Sequence, residues 1–69
     1  MSIGERVRLI RHTNEMSQIA FGKTIGKSQA EVSKIERGGY EPSAKTIRRI
    51  CKTYNVSADW LLGIKLTEV

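Results

Sequence analysis

The side chains best placed to do chemistry in this chain are not those of a catalyst. His12 is the single histidine and Cys51 the single cysteine, and one of each cannot assemble a structural zinc site or an intramolecular disulfide. No Ser/His/acid spacing suits nucleophilic catalysis, and no glycine-rich loop is set to cradle a phosphate. The reading is therefore not an enzyme: no catalytic residue, no metal and no cofactor. What stands out instead is a hydrogen-bonding set in "QAEVSKIER", residues 29–37. On a helix of ~100° per residue, Val32 and Ile35 point one way, while Ala30, Ser33, Lys34 and Arg37 point the other. Gln29 stands at the exposed N-terminal end. The outer face carries no hydrophobic side chain larger than alanine. An ordinary solvated surface has that composition, and so does a helix that must reach base edges in the DNA major groove without steric bulk.

Such a face is useful only if another element holds it, and the residues before it supply one. Gly22 falls where a preceding helix must let a second backbone come close, and Gly26 can take the positive φ of a sharp turn between helices. Phe21, Ile25, Val32 and Ile35 are spaced to lock the two helices together. The pattern predicts a helix-turn-helix.

The rest of the chain is punctuated in the same way. Ser2, Ser17, Ser28, Ser43 and Ser57 each stand where a helix would start, because a serine hydroxyl accepts from an orphan amide of the first turn. Ser2 with Glu5 and Ser28 with Glu31 form capping-box spacings. Asn14, Gly26, Gly38-Gly39, Asn55 and Gly63 suit left-handed stops, and Pro42 precedes a start. Five helices are expected, roughly 2–13, 18–25, 28–37, 44–54 and 57–63, with no strand. Narrow apolar stripes (Ile3, Val7, Ile10; Ile47, Ile50, Cys51, Tyr54) give each helix one face toward a shared core, with Met16 and Cys51 read as core. The fold class is all-α: a compact five-helix bundle forming one domain over residues 1–69.

Composition fits a polyanion binder. The 69 residues carry 12 Lys/Arg against 7 Asp/Glu, a net +5, with a pI near 9.8. Residues 38–55 hold Lys45, Arg48, Arg49 and Lys52 against Glu41, whereas residues 56–69 hold Lys65 against Asp59 and Glu68. The positive charge sits in the middle and spares the C-terminal end. No apolar run approaches the ~20 residues of a membrane span, and Met1 to His12 is too charged for a signal peptide, so a cytoplasmic protein is expected.

"MSQIAFGKTIGKSQAEVSKIERG" (Met16–Gly38) resembles the core motif of the phage-repressor/Cro-type helix-turn-helix transcriptional regulators, an XRE-like family. The likeness continues through "EPSAKTIRRICKTYNVSADWLLG" (Glu41–Gly63) and implies a lambda-repressor-like DNA-binding domain. By that resemblance Gln18 would bind a phosphate and support Gln29. Gln29, Ala30, Ser33 and Lys34 would face the bases, and Ser28, Arg37 and the Gly39-Tyr40 loop would lie near the backbone. A mostly buried Arg11–Glu36 ion pair would tie the first helix to the third. Lys27 departs from the family, which often has an apolar residue there; it is expected to be exposed and near a phosphate. Ile19, Ala20 and Leu9 are apolar on outer faces. In the fourth helix Lys45 is placed to touch a phosphate, while Arg48 and Lys52 read as solvated surface.

The leading function is a sequence-specific double-stranded DNA-binding regulator, most simply a repressor on a pseudo-palindromic operator. Alternatives are an antitoxin-type module that binds DNA together with a toxin, with a protein partner, and the DNA-binding domain of a longer repressor. A two-fold dimer is expected through the fifth helix and the residues after it. Leu61 and Ile64, with Trp60 at the edge, fall on one side of that helix, and Ala58 and Leu62 on another. Ala58, Trp60, Leu62 and Ile64 are the expected interface, in the region through which the related repressors associate.

Overall fold

The computed structural model describes residues Met1–Ile64. All regular structure among them is helical: α1 (Ile3–Thr13), α2 (Gln18–Ile25), α3 (Gln29–Glu36), α4 (Ala44–Tyr54) and α5 (Ala58–Leu62). The five serines are the five N-caps. Each sits in extended backbone and accepts, through its hydroxyl, the amide three residues on. Ser2–Glu5 and Ser28–Glu31 close as full capping boxes. In a chain this small, such caps matter, since each contributes about 1 kcal/mol.

Stops follow the expected residues with two corrections. Gly26, Asn55 and Gly63 end their helices in the left-handed region, and Gly38 takes it just after α3; its neighbour Gly39 does not. Asn14 does not take it either. Its backbone stays at φ −94°, its side-chain amide donates to the Ile10 carbonyl at 2.8 Å, and Glu15 makes the left-handed step at φ 53°. The asparagine stops α1 with its side chain, so the backbone reversal moves one residue on.

The core is one cluster of Val7, Ile10, Phe21, Ile25, Val32, Ile35, Ile50 and Leu61, with Ile3, Met16, Ile47, Cys51, Tyr54, Val56 and Trp60 half-buried against it. Every helix contributes at least one member. Removing such a side chain from water stabilises the fold by roughly 1.5–3 kcal/mol. Phe21 stacks on Tyr54 with ring centroids 5.2 Å apart. The Tyr54 and Thr24 hydroxyls meet at 2.6 Å, and Thr24 donates onward to the Phe21 carbonyl at 2.7 Å. This polar chain joins α2 to α4 at the edge of the apolar cluster.

One element differs from its expected arrangement. α5 ends at Leu62 because Gly63 reverses the chain, and the Ile64 amide donates back to the Asp59 carbonyl at 2.9 Å. Ile64 therefore lies beyond the helix and does not share a side with Leu61. Leu61 is fully buried and Ile64 is 52% exposed. Expectations for the residues after Ile64 lie outside the described residues. Among the described residues no helix is long and apolar enough to cross a membrane.

Candidate nucleic-acid interface

α3 is held from behind by three kinds of contact. The first is steric. A Cβ added to Gly22 would overlap the Lys27 carbonyl oxygen and crowd Val32 Cγ2, so the α2–α3 turn closes at this distance only over a glycine. Gly4 plays the same part where α1 crosses the end of α3: a Cβ there would overlap the Ile35 and Glu36 carbonyl oxygens. Gly4 was not anticipated, although a glycine in the first turn of an amphipathic helix is the kind of signal that Gly22 gave. The second contact is apolar, through the fully buried Val32 and Ile35.

The third is electrostatic. Glu36, buried on the back of α3, accepts Arg11 Nε on Oε2 at 2.7 Å and Arg11 Nη2 on Oε1 at 3.0 Å. The side chains are 12% and 0% exposed, so the expected buried pair is present and bidentate. Sequence reasoning missed two further donors, Arg8 Nε and Gln18 Nε2, each 3.3 Å from Oε1. Arg11 Nη1 also reaches the Met16 carbonyl at 3.0 Å. One carboxylate thus joins α1, the start of α2 and α3, and Arg11 extends the network to the α1–α2 loop. Burial pushes the Glu36 carboxyl up, but hydrogen bonds from Arg11 and then Gln18 outweigh it and hold the group below the ordinary 4.5. The same pairing raises the Arg11 guanidinium. No buried side-chain nitrogen or oxygen is left without a partner among the described residues, as a stable interior requires.

The front of α3 is uncommitted by contrast. Gln29, Ala30, Lys34 and Arg37 are exposed and Ser33 is half-buried, while Gly39 and Tyr40 continue the exposed surface past the helix end. None of these side chains is engaged in a hydrogen bond or ion pair with another described residue. Ser28 Oγ accepts the Glu31 amide at 3.2 Å, which leaves its O–H free to donate outward. Glu31 is kept from confronting an incoming anion. Its carboxylate accepts the Ser28 amide at 2.9 Å and pairs with Lys27 Nζ at 3.6 Å, and the Ser28 contacts lower its pKa.

Two expected site residues sit differently. Lys27 is not fully exposed: its side chain is 27% exposed, drawn over the first turn of α3 by Glu31. Gln18, at the start of α2, donates to Glu36 rather than to Gln29. Leu9 and Ile19 are exposed as expected. Lys45 and Arg49 face the α2–α3 turn together with Lys27, around a cleft of about 150 Å³. Of the expected interface residues, Ala58, Leu62 and Ile64 are exposed, and Trp60 is half-buried with the Arg6 guanidinium 5.2 Å over its ring.

This arrangement has counterparts of known kind. A helix-turn-helix family profile matches residues 7–61. The chain is 35% identical to the repressor protein C2 of Salmonella phage P22 over 66 residues, which is 96% of this chain and 31% of that protein. It is 33% identical to the antitoxin PezA of Streptococcus pneumoniae over 88% of this chain and 39% of that protein. The chain thus spans less than half the length of these curated relatives. The crystal structure of the P22 c2 repressor protein in complex with a synthetic operator superposes with a TM-score of 0.84 at 34% identity, covering 90% of this chain and 94% of that one.

Proposed function

The chain belongs to the helix-turn-helix family, and we propose that it is a sequence-specific double-stranded DNA-binding transcriptional regulator, acting as a repressor. The observation that carries this reading is the division of α3. Its back is pinned by Gly22, Val32, Ile35 and the Glu36 network, while the side chains of Gln29, Ala30, Ser33 and Lys34 at its front have no hydrogen-bond or ion-pair partner among the described residues. A rigid helix with free, unbulky donors and acceptors matches the requirement for reading a major groove. Gln29 presents an amide able to bond adenine bidentately, and Lys34 an ammonium able to donate to guanine. Gln18, Lys27, Ser28, Arg37 and the Gly39-Tyr40 loop surround that face and serve the phosphates. The similarity to a repressor whose structure holds an operator supports the same assignment.

The protein binds as a two-fold dimer through Ala58, Trp60, Leu62 and Ile64. α5 is only five residues long and buries Leu61 alone, which leaves Leu62 and Ile64 as spare apolar surface in the segment poorest in positive charge. Two copies joined there would present their α3 helices to successive major grooves, ~34 Å apart. The similarity to an antitoxin favours a second reading, in which a partner protein joins the complex on DNA.

Selection of bound duplexes from a random pool tests the main reading. Enrichment of a pseudo-palindrome with half-sites one helical turn apart is the expected result. A pool that stays random after repeated rounds would contradict it and favour the partner-dependent module.

A further inference from the structure

We infer that Arg6 is a positioning residue: it sets the orientation of α5, and through it the spacing of half-sites that two joined copies accept. This inference rests on the proposed two-fold dimer. It adds a residue outside both the DNA-facing set and the expected interface.

The bonds that α5 makes do little to orient it. Over residues 57–64 they are local: the Trp60 amide donates to the Ser57 hydroxyl, the Leu61 amide to the Ser57 carbonyl, the Gly63 amide to the Trp60 carbonyl and the Ile64 amide to the Asp59 carbonyl. Such bonds shape the helix without fixing it against its neighbours, α1 and α4. Leu61 anchors it in the core, but one buried side chain leaves a tilt about that anchor open. Arg6 closes this freedom from α1. Its guanidinium carbon lies 5.2 Å from the Trp60 ring centroid, within the ~6 Å reach of a cation–π contact. Its Nε reaches the Met1 carbonyl at 3.4 Å, and the residue is half-buried. Nη2 and Nε would lie 3.7 and 3.8 Å from a Cβ placed on Gly63. The side chain therefore spans the last turn of α5, from the indole to the stop.

The other partner of α1 makes this contact consequential. The same helix meets α3 through Gly4, and through the bonds from Arg8 and Arg11 to Glu36. α1 is thus a spine with α3 fixed to it and α5 tethered to it by Arg6. Leu62 and Ile64 flank Gly63 and move with the tilt of α5. In a dimer joined through them, that tilt sets the separation of the two α3 helices and hence of the half-sites. A duplex with half-sites one base pair further apart demands a different tilt. The protein reaches it only by breaking the Arg6–Trp60 contact in each protomer.

Trp60 is the single tryptophan, so its fluorescence reads the contact directly. The test uses the full chain, Arg6→Gln, which removes the cation, and Arg6→Lys, which keeps one. Each is measured by circular dichroism, by acrylamide quenching of Trp60, and by affinity for duplexes at the selected spacing and one base pair wider. The ratio of the two affinities is the readout, because a lost charge weakens both duplexes alike and cancels. For Arg6→Gln quenching should rise, and the ratio should shrink roughly two- to fivefold per protomer, the range that an exposed cation–π contact can supply. Arg6→Lys should keep most of the parental ratio. A folded Arg6→Gln with the parental ratio would overturn the proposal, since an arginine that only supports the fold changes stability and not spacing. If Arg6→Gln does not fold, Arg6→Lys decides: a parental ratio supports the role of the cation, and a collapsed one overturns it. A parent indifferent to spacing would overturn the dimer reading itself, before any variant is compared, and this inference with it.

Discussion

The α2–α3 joint and the α5 end of the molecule are built to opposite standards. At the joint, steric and apolar contacts fix α2 against α3, and a charged network ties both helices to α1. Gly22 lets the backbones meet, Val32 and Ile35 fill the space, and Glu36 gathers donors from Arg11, Gln18 and Arg8. At the other end, α5 contributes one fully buried side chain, stops at a glycine, and leaves Leu62 and Ile64 in water. The interior of a chain this short fixes only a few relations firmly. Here it fixes the one that orients α3, and among the described residues it leaves Leu62 and Ile64 exposed.

The contrast breaks most severely at Glu36. Glu36→Ala leaves Arg11 with no carboxylate in a nearly closed site, and removal of one partner of a buried pair costs about 3–5 kcal/mol. Urea denaturation should show that loss. Arg8→Ala, on a side chain 52% exposed, should cost no more than ~1 kcal/mol. Equal effects would mean that Arg8, not Arg11, anchors the carboxylate.

Gly22→Ala comes next. The added methyl must displace the Lys27 backbone, and overpacking of this sort costs about 1–3 kcal/mol. Gly38→Ala has open space around it, and only the left-handed φ of 79° opposes it, at a cost of ~1 kcal/mol. Denaturation midpoints of the two variants compare close approach with backbone strain directly; a Gly22→Ala as stable as the parent would show that the turn relaxes freely.

Acid should act on the joint before it acts on α5. Glu36 is held below its ordinary value in the folded state, so its stabilisation is complete above about pH 4.5 and is lost as the pH falls through the lowered folded value. Stability of the parent should therefore fall with decreasing pH below 4.5, and Glu36→Gln should show a flatter profile over that range. Parallel profiles would mean that other carboxylates dominate acid unfolding.

The smallest effect on stability, and a large one on assembly, belongs to Leu62→Glu. An exposed position changes stability by no more than ~0.5 kcal/mol, so the circular dichroism melt should match the parent. Cooperative binding to a two-half-site duplex should disappear. A variant that binds the full site as tightly as the parent would place the interface elsewhere.

Local signals were legible in the sequence and distant ones were not. All five serine caps could be read because a hydroxyl and an amide three residues apart interact within one turn. Gly22 and Gly26 could be read because apolar residues on both sides demanded a tight joint. Asn14 misled because its side chain competes with its backbone for the same role. Ile64 misled because the helical wheel was continued past Gly63, which ends the helix. Lys27 was expected in the open, but Glu31 four residues on draws it inward. Arg8 and Gln18 on Glu36, and Arg6 over Trp60, join residues 18 to 28 positions apart or on separate helices. Spacing along the chain carries no trace of such contacts. The Arg11–Glu36 pair was expected from family resemblance, since its two residues are just as far apart as those that were missed.

The central claim is that α3 is pinned from behind so that its front can choose a sequence, and Gln29 tests it most directly. Gln29 is exposed at the first position of α3, and its side chain makes no hydrogen bond or ion pair among the described residues. The affinities of the parent and Gln29→Ala are compared, at one salt concentration, on the selected duplex and on a random duplex. The variant should lose about 1–3 kcal/mol on the selected site and almost nothing on the random one. Equal losses on both duplexes would show that Gln29 only positions the protein, and would contradict the account of α3 as the reading helix.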